Sequence, residues 1–146
     1  MDESLSATES TTESIGARVA SEARPGDVIG LAGELGAGKT VLVRGAVRAL
    51  GGDPSQVRSP TFTLLNVYPT TPPLYHFDLY RLRSVSDLDA IGFYEFARGA
   101  GVSFVEWADR FPELAPEVDR WVRIDFIPGG EGRRIAVSPA ANPPRR

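Results

Sequence analysis

The chain has 146 residues, which suits one domain and lets it bury about 70% of its unfolded surface without disulfide or metal staples. It contains no cysteine, which excludes thiolate catalysis, and its net charge of −3 argues against a broad basic surface for nucleic acid. The alternative is that a local patch of arginines binds nucleic acid on an otherwise acidic protein. Apolar runs are too short for a membrane helix and the acidic start lacks a signal-peptide pattern, so we expect a cytoplasmic protein.

The N-terminal part predicts a helix, a turn and a buried strand. Residues 1–10 are polar, and we expect a flexible N-terminus there, with a short edge strand as the alternative. Apolar residues recur at helical spacing over residues 11–23, and Thr11 or Thr12 can cap that helix. Residues 28–32 are an apolar run with β-branched side chains, which predicts a central strand buried on both faces.

A glycine-rich turn joins this strand to a second predicted helix over residues 40–50. Gly33 and Gly38 stand five residues apart, and Lys39 and Thr40 follow, which is the phosphate-loop pattern G-x-x-x-x-G-K-[ST]. Glycines let backbone N–H groups turn towards an anion, the ammonium reaches phosphates, and the hydroxyl can hold Mg²⁺. Lys39 is also the only lysine in the chain. We therefore predict nucleotide binding rather than a flexible turn without a ligand.

The remaining chain predicts more strands and one helix. Their bounds are 61–68 and 74–82 for a hairpin, 84–98 for a helix, 102–107 for an apolar strand, and 120–127 with 133–137 for a final hairpin. Strand, loop and helix in that order open a βαβ unit, so an α/β sheet with antiparallel additions is expected. Residues 11–138 form a single predicted domain, and residues 139–146 form a predicted disordered tail.

Two carboxylates are candidate partners of the phosphate loop. Glu106 ends an apolar strand, where open α/β sheets gather ligands, and it suits Mg²⁺ or an attacking water. The alternative is an ordinary carboxylate facing solvent. Asp78 lies among apolar and aromatic residues, where a carboxylate needs a cation, a metal or several donors. A metal-side or switch role competes there with an ion pair to Arg81 or another arginine.

Three further residues have weaker signals. Thr61 follows Ser59 and a proline, and a hydroxyl placed by such a turn can approach Mg²⁺ or the γ-phosphate. The alternative is that the proline only stiffens the start of a strand. His76 is the only histidine, and a lone histidine is more often a structural hydrogen-bonding group than a base. Trp107 either covers the nucleotide or anchors the core or an interface, and we favour the functional aromatic.

Missing motifs narrow the function. No N-K-x-D guanine motif is present, which favours ATP. No arginine-rich lid insertion is present either, and small-molecule kinases need one to shield phosphoryl transfer from water. We therefore predict an accessory ATPase that takes missing catalytic parts from a partner. The alternatives are a small-molecule or nucleotide kinase and a nucleotide-gated binding module without useful hydrolysis.

Four motifs together carry a family resemblance. In chain order they are Gly33-Glu34-Leu35-Gly36-Ala37-Gly38-Lys39-Thr40, Ser59-Pro60-Thr61-Phe62, His76-Phe77-Asp78-Leu79-Tyr80-Arg81-Leu82 and Val105-Glu106-Trp107-Ala108-Asp109-Arg110. In this order and spacing they resemble the bacterial TsaE (YjeE) family of ATPases, needed for threonylcarbamoyladenosine modification of tRNA. The resemblance covers about residues 11–138.

The resemblance implies a P-loop NTPase fold with a mixed, mostly parallel sheet, helices on both faces and antiparallel flanking strands. It also implies ATP hydrolysis with Mg²⁺ and assembly with TsaB and TsaD. tRNA would be reached only through that complex, and the ATPase would not itself transfer the threonylcarbamoyl group.

Site residues follow from the same resemblance. Those implied to contact the nucleotide are Thr12, Glu34, Leu35, Gly36, Ala37, Gly38, Lys39, Thr40 and Val41. Thr40 and Glu106 are implied to serve Mg²⁺, and Asp78 and Thr61 to be catalytic or switch residues. Val41 departs from the family, which often has a second threonine there, so only its backbone N–H is available to the phosphate.

Overall fold

The computed structural model describes residues 2–34 and 36–139. Its strands are β1 (Asp2–Ser6), β2 (Val28–Ala32), β3 (Leu65–Tyr68), β4 (Leu74–Asp78), β5 (Val102–Glu106), β6 (Arg120–Phe126) and β7 (Arg133–Val137). Its α-helices are α1 (Glu9–Glu22), α2 (Lys39–Ala49), α3 (Ser86–Ala90) and α4 (Phe93–Ala97). Short 3₁₀ helices lie at Pro54–Gln56, Ala108–Arg110 and Pro112–Glu117.

All seven strands form one mixed sheet in the order β1-β7-β6-β2-β5-β4-β3. The central strands β6, β2, β5 and β4 run parallel, and β1, β7 and β3 are attached antiparallel at the two sides. Every residue of β2 is buried, as expected for an apolar strand between parallel neighbours. The predicted α/β P-loop fold, with its parallel centre and antiparallel flanks, is confirmed.

Helices cover both faces of the sheet, which gives two apolar cores. Side chains alternate along a strand, so Ile29 and Leu31 of β2 pack with α1 and α2, while Val28 packs with α3, α4 and the 3₁₀ helices at Ala108–Arg110 and Pro112–Glu117. Among the described residues, no helix has the length and apolar character needed to cross a membrane.

Helices α1 and α2 approach each other closely because glycines lie at their contact. A Cβ added to Gly16 would lie 2.0 Å from the Leu42 carbonyl oxygen, and one added to Gly45 would lie 1.8 Å from the Glu13 carbonyl oxygen. Both distances are far inside van der Waals contact, and the obstacle is backbone in each case. This close packing fixes where α2, and therefore its N-terminus, lies on the sheet.

Replacing Gly45 with alanine is expected to destabilise the fold, because the new methyl group forces the two helices apart. Overpacking of this kind costs about 2 kcal/mol, which lowers Tm by about 5 °C in a domain of this size. Thermal unfolding followed by circular dichroism measures the change. Gly130→Ala is the control, since its methyl group would meet only Ile127, whose nearest atom, Cγ2, is 3.3 Å away. Equal Tm values for both variants would contradict the close packing described here.

The N-terminus differs from the expectation of a flexible segment over residues 1–10. The edge-strand alternative is what the structure has: β1 pairs with β7, and α1 begins at Glu9. Thr8 is the cap, its hydroxyl accepting a hydrogen bond from the Thr11 N–H, so Thr11 and Thr12 lie inside the helix. The pairing strand is more than 125 residues away, which is why local composition did not reveal it. Of the predicted disordered tail, residues 140–146 lie outside the described residues.

The middle of the chain is less regular than predicted. Residues 61–64 form a turn in which Leu64 has a φ of 67°, so β3 begins only at Leu65. β4 ends at Asp78 instead of continuing to residue 82. The single predicted helix is two short helices, because Gly92 takes a φ of 73° between them. Hydrophobic spacing alone does not show where a strand stops or a helix breaks.

Candidate functional site

The carboxyl ends of three parallel strands meet at one edge of the sheet. Leu31 of β2 and Asp78 of β4 are both register partners of Glu106 in β5. The phosphate loop follows β2, so it lies beside both carboxylates. A cavity of about 290 Å³ opens there. Its lining residues are Gly36, Gly38, Lys39, Thr40, Val41, Ser59, Thr61, Asp78, Glu106 and Trp107.

Glycines give the phosphate loop its shape. Gly33, Gly36 and Gly38 have φ values of 146°, 78° and 118°, in the region that other residues rarely adopt. A Cβ on Gly33 would also lie 2.3 Å from the Ile124 carbonyl oxygen of β6. α2 starts directly after Gly38, which has no side chain to cap it. The first N–H groups of a helix lack intrahelical partners, so this end of α2 suits an anion.

Lys39 lies buried at the base of the loop, with 4% of its surface exposed. Its Nζ donates to the carbonyl oxygens of Gly33, at 2.5 Å, and Glu34, at 3.3 Å. The same nitrogen lies 3.8 Å from the centroid of the Trp107 ring, a cation–π contact. Trp107 itself has a φ of 62° and packs on Tyr80 at 5.0 Å between ring centroids. The predicted functional aromatic is therefore in contact with the phosphate-loop lysine.

Burial lowers the pKa of Lys39, although the carboxylates of Glu106, Asp78 and Asp109 oppose that shift. The ammonium is thus poorly solvated, and its direct contacts among the described residues are two neutral carbonyls and an aromatic ring. A phosphate group with its negative charge would stabilise it far better.

Glu106 is bound by two donors at one oxygen. Oε2 accepts from the Thr40 hydroxyl at 3.0 Å and from Nε2 of His76 at 2.6 Å. Glu106 is 4% exposed, so it is a buried carboxylate and not a solvent-facing one. The Thr40 bond ties the start of α2 to the end of β5.

Asp78 also has specific partners. Its Oδ2 accepts from the Thr61 hydroxyl at 3.0 Å, and its Oδ1 accepts from the Tyr80 N–H at 2.9 Å. The Thr61 hydroxyl in turn bonds Ser59 Oγ at 2.8 Å. The alternative of an ion pair with Arg81 does not occur in the described structure, where Arg81 lies over the ring of Phe62, 4.9 Å from its centroid.

The donor set fits Mg²⁺ held together with a nucleotide. The Thr40 hydroxyl and the carboxylates of Glu106 and Asp78 line one cavity, and hard oxygen ligands are those that Mg²⁺ prefers. Within residues 2–34 and 36–139, no cluster of three or more His, Cys, Asp or Glu side chains could hold a metal by itself. Mg²⁺ is usually held by one or two protein groups together with substrate phosphates and water.

A second cavity, of about 170 Å³, continues from the first on the other side of the loop. The two share Gly36, Gly38 and Val41. Predicted nucleotide-contact residues Thr12 and Ala37 line this second cavity. The Thr12 hydroxyl bonds Ser6 Oγ at 2.7 Å, which joins the start of α1 to the end of β1. Most of the predicted site residues therefore line one of two adjoining cavities.

Two of the predicted nucleotide-contact residues are not among the described residues that line the two cavities. Glu34 is exposed and lines neither cavity, although its carbonyl accepts from Lys39. Leu35 lies outside the described residues.

Sequence reasoning missed Arg133. Its Nε donates to the Ala37 carbonyl at 2.8 Å, its second terminal nitrogen donates to the Gly36 carbonyl at 3.4 Å, and the guanidinium lies over Phe126 at 4.3 Å. Arg133 therefore clamps the outer side of the phosphate loop from β7. No local pattern could have shown this, because 96 residues separate the two partners.

Comparisons with known proteins agree with the four motifs. The sequence profile of the family described as "Threonylcarbamoyl adenosine biosynthesis protein TsaE" matches residues 6–135. A Bacillus subtilis protein named tRNA threonylcarbamoyladenosine biosynthesis protein TsaE is 42% identical over 132 residues, covering 90% of this chain and 81% of that protein. A Treponema pallidum protein of the same name is 41% identical over 113 residues, covering 77% and 82%.

A solved structure gives the same result for the fold. The crystal structure of Bacillus subtilis YdiB superposes with a TM-score of 0.73 and 30% identity, over 97% of this chain and 86% of that one. The resemblance seen in the sequence is confirmed: the chain belongs to the TsaE family.

Proposed function

We propose that this chain is a Mg²⁺-dependent ATPase that supports threonylcarbamoyladenosine modification of tRNA together with TsaB and TsaD. The observation that carries the proposal is the Thr40–Glu106 hydrogen bond, which joins the phosphate loop to a buried strand-end carboxylate beside Lys39. Relatives at 41% and 42% identity are named for this tRNA modification. The chain would act in the cytoplasm, and it would meet tRNA only through the complex.

Each site residue has a role in the proposal. Lys39 and the backbone of the loop, from Glu34 to Val41, hold the phosphates, and Thr12 lies by the nucleoside. Thr40 and Glu106 hold Mg²⁺, which when bound neutralises charge on the phosphates. Asp78 orients the attacking water, and the Thr61 hydroxyl fixes the rotamer of Asp78.

The make-up of the cavity supports a need for a partner. Lys39 is the only cationic side chain among the described residues that line the cavity with both carboxylates. Phosphoryl transfer gains several orders of magnitude in rate from a further positive charge on the transferred group, and a partner protein often supplies it as an arginine. We therefore propose slow hydrolysis by the chain alone and faster hydrolysis in the presence of TsaB–TsaD.

Phosphate release with Mg²⁺ and ATP tests the proposal, measured for the chain alone and with TsaB–TsaD added. The expected result is a low basal rate that requires Mg²⁺ and rises with the partners. Release at background level under both conditions would favour a binding module without hydrolysis. A parallel incubation with a panel of small acceptors addresses the kinase alternative, since stoichiometric phosphorylation of any acceptor would overturn the accessory role.

Replacing Thr61 with valine is expected to slow hydrolysis with little change in nucleotide affinity. The substitution keeps the side-chain shape and removes the hydrogen bond to Asp78. A hydrogen bond to a charged group contributes about 1.5 kcal/mol, which corresponds to about a tenfold fall in kcat. Steady-state kinetics would measure kcat, and titration with a fluorescent ATP analogue would measure nucleotide affinity. Thr63→Val is a control from the same turn, since the Thr63 hydroxyl bonds Asn66 instead. A wild-type kcat in Thr61→Val would remove Thr61 from the proposed machinery.

A further inference from the structure

His76 has a specific contact that a packing role does not require. It lies in β4, is fully buried, and its Nε2 is 2.6 Å from Glu106 Oε2. Tyr68 packs beside it with 6.1 Å between ring centroids. An apolar side chain of similar size would fill this space, whereas the imidazole aims one nitrogen at the carboxylate that the proposed function assigns to Mg²⁺.

The partners of His76 define its tautomer. An ionised carboxylate only accepts hydrogen bonds, so the proton in the short contact belongs to Nε2. Nδ1 is buried and has no hydrogen-bond partner among the described residues. A lone pair is tolerated more easily than an unpaired N–H in that setting, which again favours the Nε2–H form.

Glu106 is held asymmetrically as a result. Both described hydrogen bonds to its carboxylate, from Thr40 and from His76, end on Oε2. Oε1 is engaged by neither, so it is the oxygen left for a ligand in the cavity that Glu106 lines. A partner that fixes a metal ligand from behind typically contributes a factor of 10 to 100 to metal affinity.

We propose that His76 is a positioning residue for the metal site: its Nε2–H holds Oε2 of Glu106 and thereby presents Oε1 to the Mg²⁺–nucleotide. The inference rests on the proposed function, because it needs Glu106 to serve the metal. His76 lines neither of the two cavities, so in this proposal it acts through Glu106 alone.

A matched pair of amide variants tests the proposal. In His76→Gln the side-chain amide nitrogen can occupy the place of Nε2 and donate to Glu106. The asparagine side chain in His76→Asn is one carbon shorter, so its amide nitrogen lies nearer the place of Nδ1 and does not reach Glu106. Ser103→Ala is the control, a change at another fully buried residue on the neighbouring strand whose hydroxyl has no partner in the described structure. Binding of Mn²⁺ to each protein in complex with a non-hydrolysable ATP analogue is measured by electron paramagnetic resonance. Affinity for the analogue in EDTA is measured separately.

The expected result is that His76→Asn binds Mn²⁺ about 10- to 100-fold more weakly, while His76→Gln and Ser103→Ala stay within about threefold of the wild type. Affinity for the analogue in EDTA should be the same in all four proteins. Equal Mn²⁺ affinity of the two amide variants would overturn the proposal. So would a loss of analogue affinity in EDTA by His76→Asn that is as large as its loss of Mn²⁺ affinity. Failure of the wild-type chain to bind Mn²⁺ with the analogue is a different outcome, since it would overturn the proposed function itself.

Nitrogen NMR of the wild-type chain provides a second test that needs no variant. His76 is the only histidine, so its ring signals are assigned without ambiguity. The proposal predicts a proton on Nε2 and a bare Nδ1 in the free protein, with the Nε2 signal shifting when Mg²⁺ and the analogue bind. A proton on Nδ1 with a bare Nε2 would overturn it.

Discussion

Replacing Lys39 with methionine is expected to weaken the affinity for MgATP by about 10²- to 10³-fold. The buried ammonium is the one cation in the cavity among the described residues, and methionine removes its charge while keeping most of its length. Lys39→Arg is the matched control for charge. Because the lysine is enclosed by loop carbonyls and the Trp107 ring, the larger guanidinium should bind nucleotide poorly as well. Isothermal titration would measure the affinities, and Lys39→Met binding within threefold of the wild type would contradict the assigned role.

Lys39→Met should not be less stable than the wild type. Because burial lowers the pKa of Lys39, its protonated form is less favourable in the folded chain than in the unfolded chain. This penalty is fully present below the folded-state pKa and is relieved as pH rises from there to the usual value of 10.5. Urea unfolding of Lys39→Met at neutral pH should therefore give a free energy of unfolding no lower than that of the wild type. A marked fall would show that the ammonium stabilises the free protein.

Replacing Glu106 with glutamine is expected to reduce Mg²⁺-dependent hydrolysis by about 10²- to 10³-fold. The amide is nearly the same size, but it removes the charge and places an N–H₂ or a weaker acceptor against the donors of Thr40 and His76. Nucleotide affinity in EDTA should change little, since the carboxylate serves the metal. Single-turnover hydrolysis with TsaB–TsaD present measures the rate.

Asp109→Asn is the matched control for Glu106→Gln. Asp109 also acts electrostatically on Lys39, yet it does not line the cavity. It loses the same charge, so its hydrolysis rate should stay within a few-fold of the wild type. Equal rates for Glu106→Gln and Asp109→Asn would show that only the overall charge around Lys39 matters.

The central features of the site could be predicted because they depend on local sequence. The bounds predicted for β2 match the structure, and the motif starting at Gly33 specifies the turn into α2 through its glycines. Glu106 was predicted at the end of an apolar strand, and it lines the cavity beside the loop together with Asp78, although the strand of Asp78 was predicted to continue to residue 82. These inferences needed only hydrophobic runs, glycine positions and the general geometry of α/β sheets.

The features that were missed depend on contacts between distant segments. Arg133 reaches the loop from β7, and the edge strand that the sequence offered only as an alternative, β1, forms by pairing with β7. The bond between His76 and Glu106 is of the same kind, since 30 residues separate them, and the sequence indicated only a structural hydrogen-bonding histidine. In each of these three contacts, the local sequence of one segment does not specify the distant segment that it meets. Only the folded chain shows them.

The most direct test of the proposed function is reconstitution of the tRNA modification with TsaB–TsaD, tRNA, ATP and a threonylcarbamoyl donor, with and without this chain. Modified nucleoside is counted per TsaB–TsaD complex over time. The proposal predicts sustained formation of modified nucleoside with the chain and ATP, and a much smaller yield without the chain, with Lys39→Met, or with a non-hydrolysable analogue in place of ATP. Multiple turnovers at the same rate under all of these conditions would contradict it.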